Sequence, residues 1–260
     1  MTAILRNESR RLRRGSLLLG GLFGMLTAFF LAVFPAIQDE AEVIMDAYPE
    51  FVIELMGLEE LNTIEGFAGG YVYPFIWVLF GGVYLAYVGG GLIAGDVQSR
   101  KLDLTLSNPV SRESVVAQKV AALWVPIVAL NGAVAITLFL GALALGERLD
   151  PVALGMVHLL GIPYLLVCAG IGVVFSVIFD RVGRAQVTSL GIVFVLWLID
   201  GLSYTDPEYE WIGDLTPSRY YDPTGILVHG EYGFLDASLL LAVFGASLVV
   251  AAAIFVRRDI

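Results

Sequence analysis

The chain has 260 residues, 58% of them apolar and only 15% charged, with a mean hydropathy of +0.81 and a formal net charge of −10. A soluble domain carries about 25% charged residues, so the composition excludes a soluble globular protein and points to one that lives in a membrane.

Six runs are apolar enough to span, because a helix rising about 1.5 Å per residue needs about 20 residues to cross roughly 30 Å of hydrocarbon. They cover residues 16–37, 71–95, 120–146, 151–179, 185–204 and 237–256. The pattern predicts an all-α, polytopic membrane protein built as a single transmembrane domain with six transmembrane helices.

Ahead of the first run, Arg6, Arg10, Arg11, Arg13 and Arg14 are interleaved with Leu5 and Leu12. This stretch fits either a helix lying along the membrane surface or a simple topology anchor. The run itself, residues 16–37, is longer than a secretory h-region, and Phe34-Pro35-Ala36 is a poor cleavage site, so it reads as an uncleaved span. Within it Ser16, Gly20, Gly24, Ala28, Ala32 and Ala36 recur at every fourth position, a ridge of small residues that predicts a close helix contact, internal or with another subunit.

Residues 38–70 hold nine acidic residues and no basic one, with apolar stretches at Phe51-Val52-Ile53 and Leu55-Met56 that suit a short amphipathic helix. The second span is two-faced. Gly82, Ala86, Gly90 and Ala94 form a small stripe, while Tyr73, Trp77, Phe80, Tyr84 and Tyr87 recur at alternating steps of four and three on the opposite side. Trp77, Phe80, Tyr84 and Tyr87 are therefore candidates to line a substrate path or subunit interface; ordinary packing plus an interfacial belt at Tyr71 and Tyr73 is the alternative.

His158, deep in the fourth span, reads as a neutral, hydrogen-bonded core histidine. Cys168 is the single cysteine, which leaves no intrachain disulfide. Asp200 interrupts the fifth span close enough to its end to reach water. Residues 205–236 form a second acidic segment, in which Leu215 to Pro223 reads as a turn-bounded piece near the membrane interface.

Orientation follows from the basic residues. With the N-terminus inside, 13 of the 15 lie on the cytoplasmic side and only Arg148 and Arg219 lie outside. The positive-inside bias places both the N- and C-termini in the cytoplasm. On the same map 19 of the 25 acidic residues lie outside, a surface that suits a salt-rich milieu or attracts cations.

No Gly-x-x-x-x-Gly-Lys-Ser/Thr occurs, and neither lysine, Lys101 or Lys119, follows a glycine-rich loop, so the chain has no P-loop of its own. His-Glu-x-x-His, Gly-x-Ser-x-Gly and paired intramembrane aspartates are also missing from the sequence. No catalytic, metal or cofactor residues are assigned, and the chain is not expected to be an enzyme.

The most informative stretch follows the second span. Asp96 leads it; Leu102-Asp103-Leu104-Thr105-Leu106 forms a leucine-bearing core; Ser107-Asn108-Pro109-Val110-Ser111-Arg112 closes it; Lys119 lies downstream. Leu102, Leu104 and Leu106 offer apolar anchors, and Arg100, Lys101, Asp103 and Arg112 offer charges for a docking partner. Asn108 or Ser111 can cap a helix start, and Pro109 is tolerated in a first turn.

This order resembles the cytoplasmic segment of permease subunits of type-2 ATP-binding-cassette (ABC) exporters. In that pattern an acidic residue precedes Gly-Thr-Leu, an acid, leucines, Ser-x-Pro-Val-Ser-Arg and a lysine; here Arg100 and Lys101 stand in place of Gly-Thr. The C-terminal Ile254 to Ile260 and the Thr216 to Pro223 piece are similar to other parts of such permeases. The resemblance implies a membrane subunit that forms the substrate path in the plasma membrane. It implies coupling through Asp96, Arg100, Lys101, Leu102, Asp103, Leu104, Leu106, Pro109 and Arg112, within a segment spanning 96–118, to a separate ABC ATP-binding subunit that holds the ATP-Mg. It also implies pairing with a second copy or a sister permease. Nucleic acid is not an expected partner. Two other readings stand beside it: a non-transporting scaffold whose ATPase partner assists an extracytoplasmic protein, and a stand-alone channel or carrier.

Overall fold

The computed structural model describes residues 3–107 and 109–258, with the backbone alone for Phe51, Leu55 and Leu106. Among the described residues six helices are long and apolar enough to cross a membrane: α1 (Ala3–Asp39), α2 (Ile64–Gln98), α3 (Arg112–Leu145), α4 (Pro151–Ile178), α5 (Val182–Ser203) and α6 (Phe234–Arg257). No strand forms among them. This is the all-helical, six-span architecture that the hydropathy predicts.

The start of α1 incorporates the basic stretch without a break. Its 37 residues are about 55 Å long at 1.5 Å per residue, so it outreaches a bilayer core by several turns. Packing of α1 against α3 uses only half of the small ridge. Ser16, Gly20 and Gly24 are buried, and a Cβ at Gly20 would come within 2.9 Å of the Ala129 carbonyl oxygen. Ala28, Ala32 and Ala36 are exposed. Every fourth residue advances about 40° beyond a full turn, so the ridge rotates away from α3; Leu31 takes over the contact at Gly141, while Phe34 packs on Phe67 of α2.

α2 and α4 are the most enclosed spans. Ala86 of the small stripe and Gly89 beside it explain this: a Cβ at Gly89 would lie 2.3 Å from the Ala169 carbonyl oxygen, and one at Gly172 2.3 Å from that of Ala86. The two backbones touch, leaving room for no side chain between them. On the adjoining side Gly90 meets Ala185 and Gln186 of α5.

α2 is not a uniform helix. Thr63 caps its start, its hydroxyl accepting from the Gly66 N–H at 3.1 Å. Residues Ala68–Gly81 then run in wide π-type turns around Pro74. Ordinary helix resumes over Gly82–Gly91, breaks at Leu92 and Ile93, and restarts at Ala94. A second break, at Ala122 and Leu123, divides α3. α4 starts from Asp150, whose carboxylate accepts from the Val152 N–H, with Pro151 in the first turn where its missing N–H costs nothing.

Both described chain ends lie at one end of the bundle, beside the segment joining α2 to α3. At the distal end two short helices, Ala41–Ala47 and Glu50–Met56, fold over a small cluster of Ala41, Leu58 and Leu61. The acidic stretch after α5 goes deeper than a surface turn: Tyr221, Ile226 and Leu227 are buried, Tyr221 donates to the Val157 carbonyl of α4, and Thr224 donates to the Gly57 carbonyl. Apolar side chains such as Leu18, Phe29, Leu140, Val187 and Leu235 remain exposed around the outside, the surface that a bilayer covers.

Candidate coupling segment

The segment from Asp96 to Lys119 has an inward and an outward side. After the break in α2, Ala94–Gln98 makes one more turn. The chain then reverses at Arg100, which takes the left-handed conformation, φ +54. That is the position at which glycine stands in the pattern the sequence resembles, and glycine adopts this conformation without a Cβ penalty. Lys101–Leu106 follows as a short helix. Ser111 caps α3 by accepting from the Ser114 N–H at 3.2 Å, and Pro109 precedes that cap rather than entering the first turn. Asn108, the other cap candidate, lies outside the described residues, as does the side chain of Leu106.

Outward lie Arg100, Lys101, Asp103, Pro109 and Leu104, the last 72% exposed. The other three candidates turn inward. Leu102 is fully buried in the main core. Arg112 donates to the carbonyl oxygens of Phe255, Val256 and Arg258, and its guanidinium stands 5.7 Å from the Phe255 ring centroid. It thereby covers the unpaired carbonyls at the end of α6, where the helix dipole favours a cation. Asp96 is buried and ion-paired, its Oδ2 2.7 Å from Lys119 Nζ and its Oδ1 3.3 Å from Arg11.

Those pairs belong to a larger cluster. Lys119 also donates to Glu8 at 2.9 Å and to the Leu92 carbonyl at 2.8 Å, and Arg11 pairs with Glu8 at 2.8 Å. Two acids and two bases thus balance at the meeting point of α1, α2 and α3. The Gln98 side chain accepts from the Val182 N–H and caps α5. Sequence reading placed Lys119 in the motif but overlooked Glu8, the single acid within a basic run, which was the available signal.

The aromatic line of α2 divides. Trp77 is fully buried, edge-on to His158 with ring centroids 4.9 Å apart, and Tyr73 stands within 3.1 Å of His158 Nε2. Asn131 donates to the Ile127 carbonyl, which leaves its oxygen to accept from His158 Nδ1 at 3.0 Å and Nε2 to accept from Tyr73. This is the satisfied core histidine the sequence suggests. Phe80 and Tyr87 instead lie on the exposed flank, 46% and 44% accessible, with half-buried Tyr84 between them. The wide turns over Ala68–Gly81 advance less per residue than an α-helix does, so spacing that aligns five rings on an ideal helix aligns only the last three here.

At the distal end a cleft of about 780 Å³ is lined by Glu50, Glu54, Glu59, Asp206, Glu210 and Asp222 with no basic residue among its walls. Arg219 lies beside it, its guanidinium 4.2 Å from the Tyr204 ring centroid and its Nε 3.8 Å from Asp200. His229 meets Glu59 at 2.5 Å, and that hydrogen bond raises the imidazole pKa above its ordinary 6.5.

A family model described as ABC-2 family transporter protein matches residues 2–205. No curated protein matches the chain.

Proposed function

The chain belongs to the ABC-2 transporter family and is a multi-pass membrane permease; from that premise we propose that it is the permease of an ATP-driven exporter whose motor is a separate ABC ATP-binding subunit. The observation that carries this reading is the two-sided coupling segment. Arg100, Lys101 and Asp103 project around Leu104 on a short helix, while Leu102, Asp96 and Arg112 fasten the same segment to the bundle. A loop without a partner has no need of so many internal anchors, whereas a segment that is pushed requires them.

In this reading the end bearing both termini is cytoplasmic, which the distribution of basic residues supports. The outward face docks the ATPase, which binds the ATP-Mg, and movement on nucleotide binding passes through the anchors into the spans. The permease works beside a second copy or a sister permease, with the substrate path between them. Because Trp77 is sealed in the core, the path assignment rests on Phe80, Tyr84 and Tyr87.

Capture of the tagged chain from gentle detergent tests the docking claim. Wild-type material is expected to bring down a P-loop ATPase in stoichiometric amount. Leu104→Asp is expected to lose it, because a carboxylate would have to be desolvated in the contact, while the variant stays monodisperse. Equal recovery of the ATPase with the variant would remove the docking claim.

A further inference from the structure

The break in α2 is fully furnished by side chains from other helices. On its donor side, the Ile93 and Ala94 N–H groups both reach the buried Ser176 hydroxyl of α4, at 2.8 and 2.9 Å. On its acceptor side, the Gly91 carbonyl receives Arg11 at 3.3 Å and the Leu92 carbonyl receives Lys119 at 2.8 Å. Leu92 and Ile93 keep right-handed backbone angles while the ladder of helix hydrogen bonds is interrupted; buried backbone groups persist outside that ladder only where they find such partners, so this break is a built feature and has the makings of a hinge.

We propose that Lys119 is the positioning residue through which the coupling segment acts on this hinge. This inference rests on the reading of the chain as an ATPase-coupled permease. An ammonium has three protons, and in Lys119 each has its own acceptor: Glu8 of α1, Asp96 beyond the hinge and the Leu92 carbonyl within it. The side chain is buried, as are Glu8 and Asp96. Lys119 itself lies three residues before the break in α3. A displacement of the segment at its start, Asp96, or at its end, the first turns of α3, is therefore felt at one nitrogen.

A buried charge cluster is either fully paired or severely strained, which makes this contact a tie with two states rather than an elastic link. While it holds, the part of α2 beyond the hinge and the first turns of α3 move as one body with the start of α1. When the segment is pulled away, the Leu92 carbonyl loses its donor and the membrane part of α2 is free to reorient about residues 92–93. The motif's leading acid and trailing lysine thus hold each other, and the docking face lies wholly between them.

The test uses the complex of permease and ATPase in liposomes, with Cys168→Ala and an exposed reporter, Thr205→Cys, on the wall of the distal cleft. Maleimide labelling of that cysteine is followed with and without ATP and vanadate. The otherwise wild-type complex is expected to change its labelling rate at least threefold on nucleotide trapping. Lys119→Met is expected to capture the ATPase at unchanged stoichiometry and to lose that response; Lys119→Arg keeps most of it. Lys119→Met combined with Glu8→Gln leaves Asp96 paired with Arg11, keeps the cluster neutral and decides the matter if Lys119→Met alone does not fold: a lost response supports the tie, and a full response overturns it. A full response in Lys119→Met, or a reporter indifferent to nucleotide in the otherwise wild-type complex, also overturns it. Absence of any captured ATPase from the wild-type chain is a separate outcome and refutes the permease–motor reading itself.

Discussion

Arg100 shows how a departure from a pattern is read at the scale of one residue. Its left-handed backbone, φ +54, is a conformation that costs a non-glycine residue on the order of 1 kcal/mol. Arg100→Gly is therefore expected to raise stability by about 1 kcal/mol in a detergent unfolding titration and to weaken ATPase capture if the guanidinium belongs to the docking face; no gain in stability would deny the strain. His229 gives the second case at this scale. Its pKa is raised by Glu59, so the pair contributes stability fully below the ordinary imidazole value, and the contribution disappears as pH rises through the raised one. In a ring-proton titration His229 is expected to titrate above 6.5, and Glu59→Gln to bring it back; a midpoint that ignores Glu59→Gln would contradict the pairing. The glycine position in the family pattern made the turn at Arg100 legible, whereas nothing local links His229 to Glu59 across so much chain.

At the scale of the element, the six spans follow from hydropathy because burial of backbone polar groups leaves a long apolar run only one economical form, the helix. What hydropathy does not contain is the state of each turn. The break at residues 92–93 depends on Ser176, Arg11 and Lys119, which come from distant parts of the chain, and neither it nor the wide turns of Ala68–Gly81 leave a mark on hydropathy. Because of the wide turns, the aromatic face of α2 holds three rings rather than the five that ideal helical spacing predicts. The small stripe fared better, since close approach is a property of residue size alone. Gly172→Ala places a Cβ against the Ala86 carbonyl with no flexible atom to yield, and is expected to cost about 1–3 kcal/mol. Gly21→Ala, which meets nothing within 4 Å, serves as the control and is expected to be neutral or mildly stabilising. Thermal unfolding of both in the same detergent checks the pair; equal midpoints would mean that the α2–α4 contact is looser than described.

For the whole molecule, the chain is a bundle around an enclosed α2–α4 pair, with its charges sorted to the two ends. The end bearing the chain termini carries the internal ties: Lys119 to α1 and α2, Gln98 to α5 and Arg112 to α6. Through one short segment, four of the five other spans and α3 itself are reached, which is the arrangement a permease needs if one partner is to move them together. The motif singles out this segment in the sequence. It did not reveal that Asp96, Leu102 and Arg112 face the bundle, because a linear pattern lists charges without their partners. The most direct measurement is site-specific photo-crosslinking in intact cells, with the photoreactive amino acid placed at Lys101 on the proposed docking face and, separately, at exposed Trp211 on the distal end. A P-loop ATPase adduct is expected from position 101 and none from position 211. An adduct from 211, or none from 101, would contradict the docking claim.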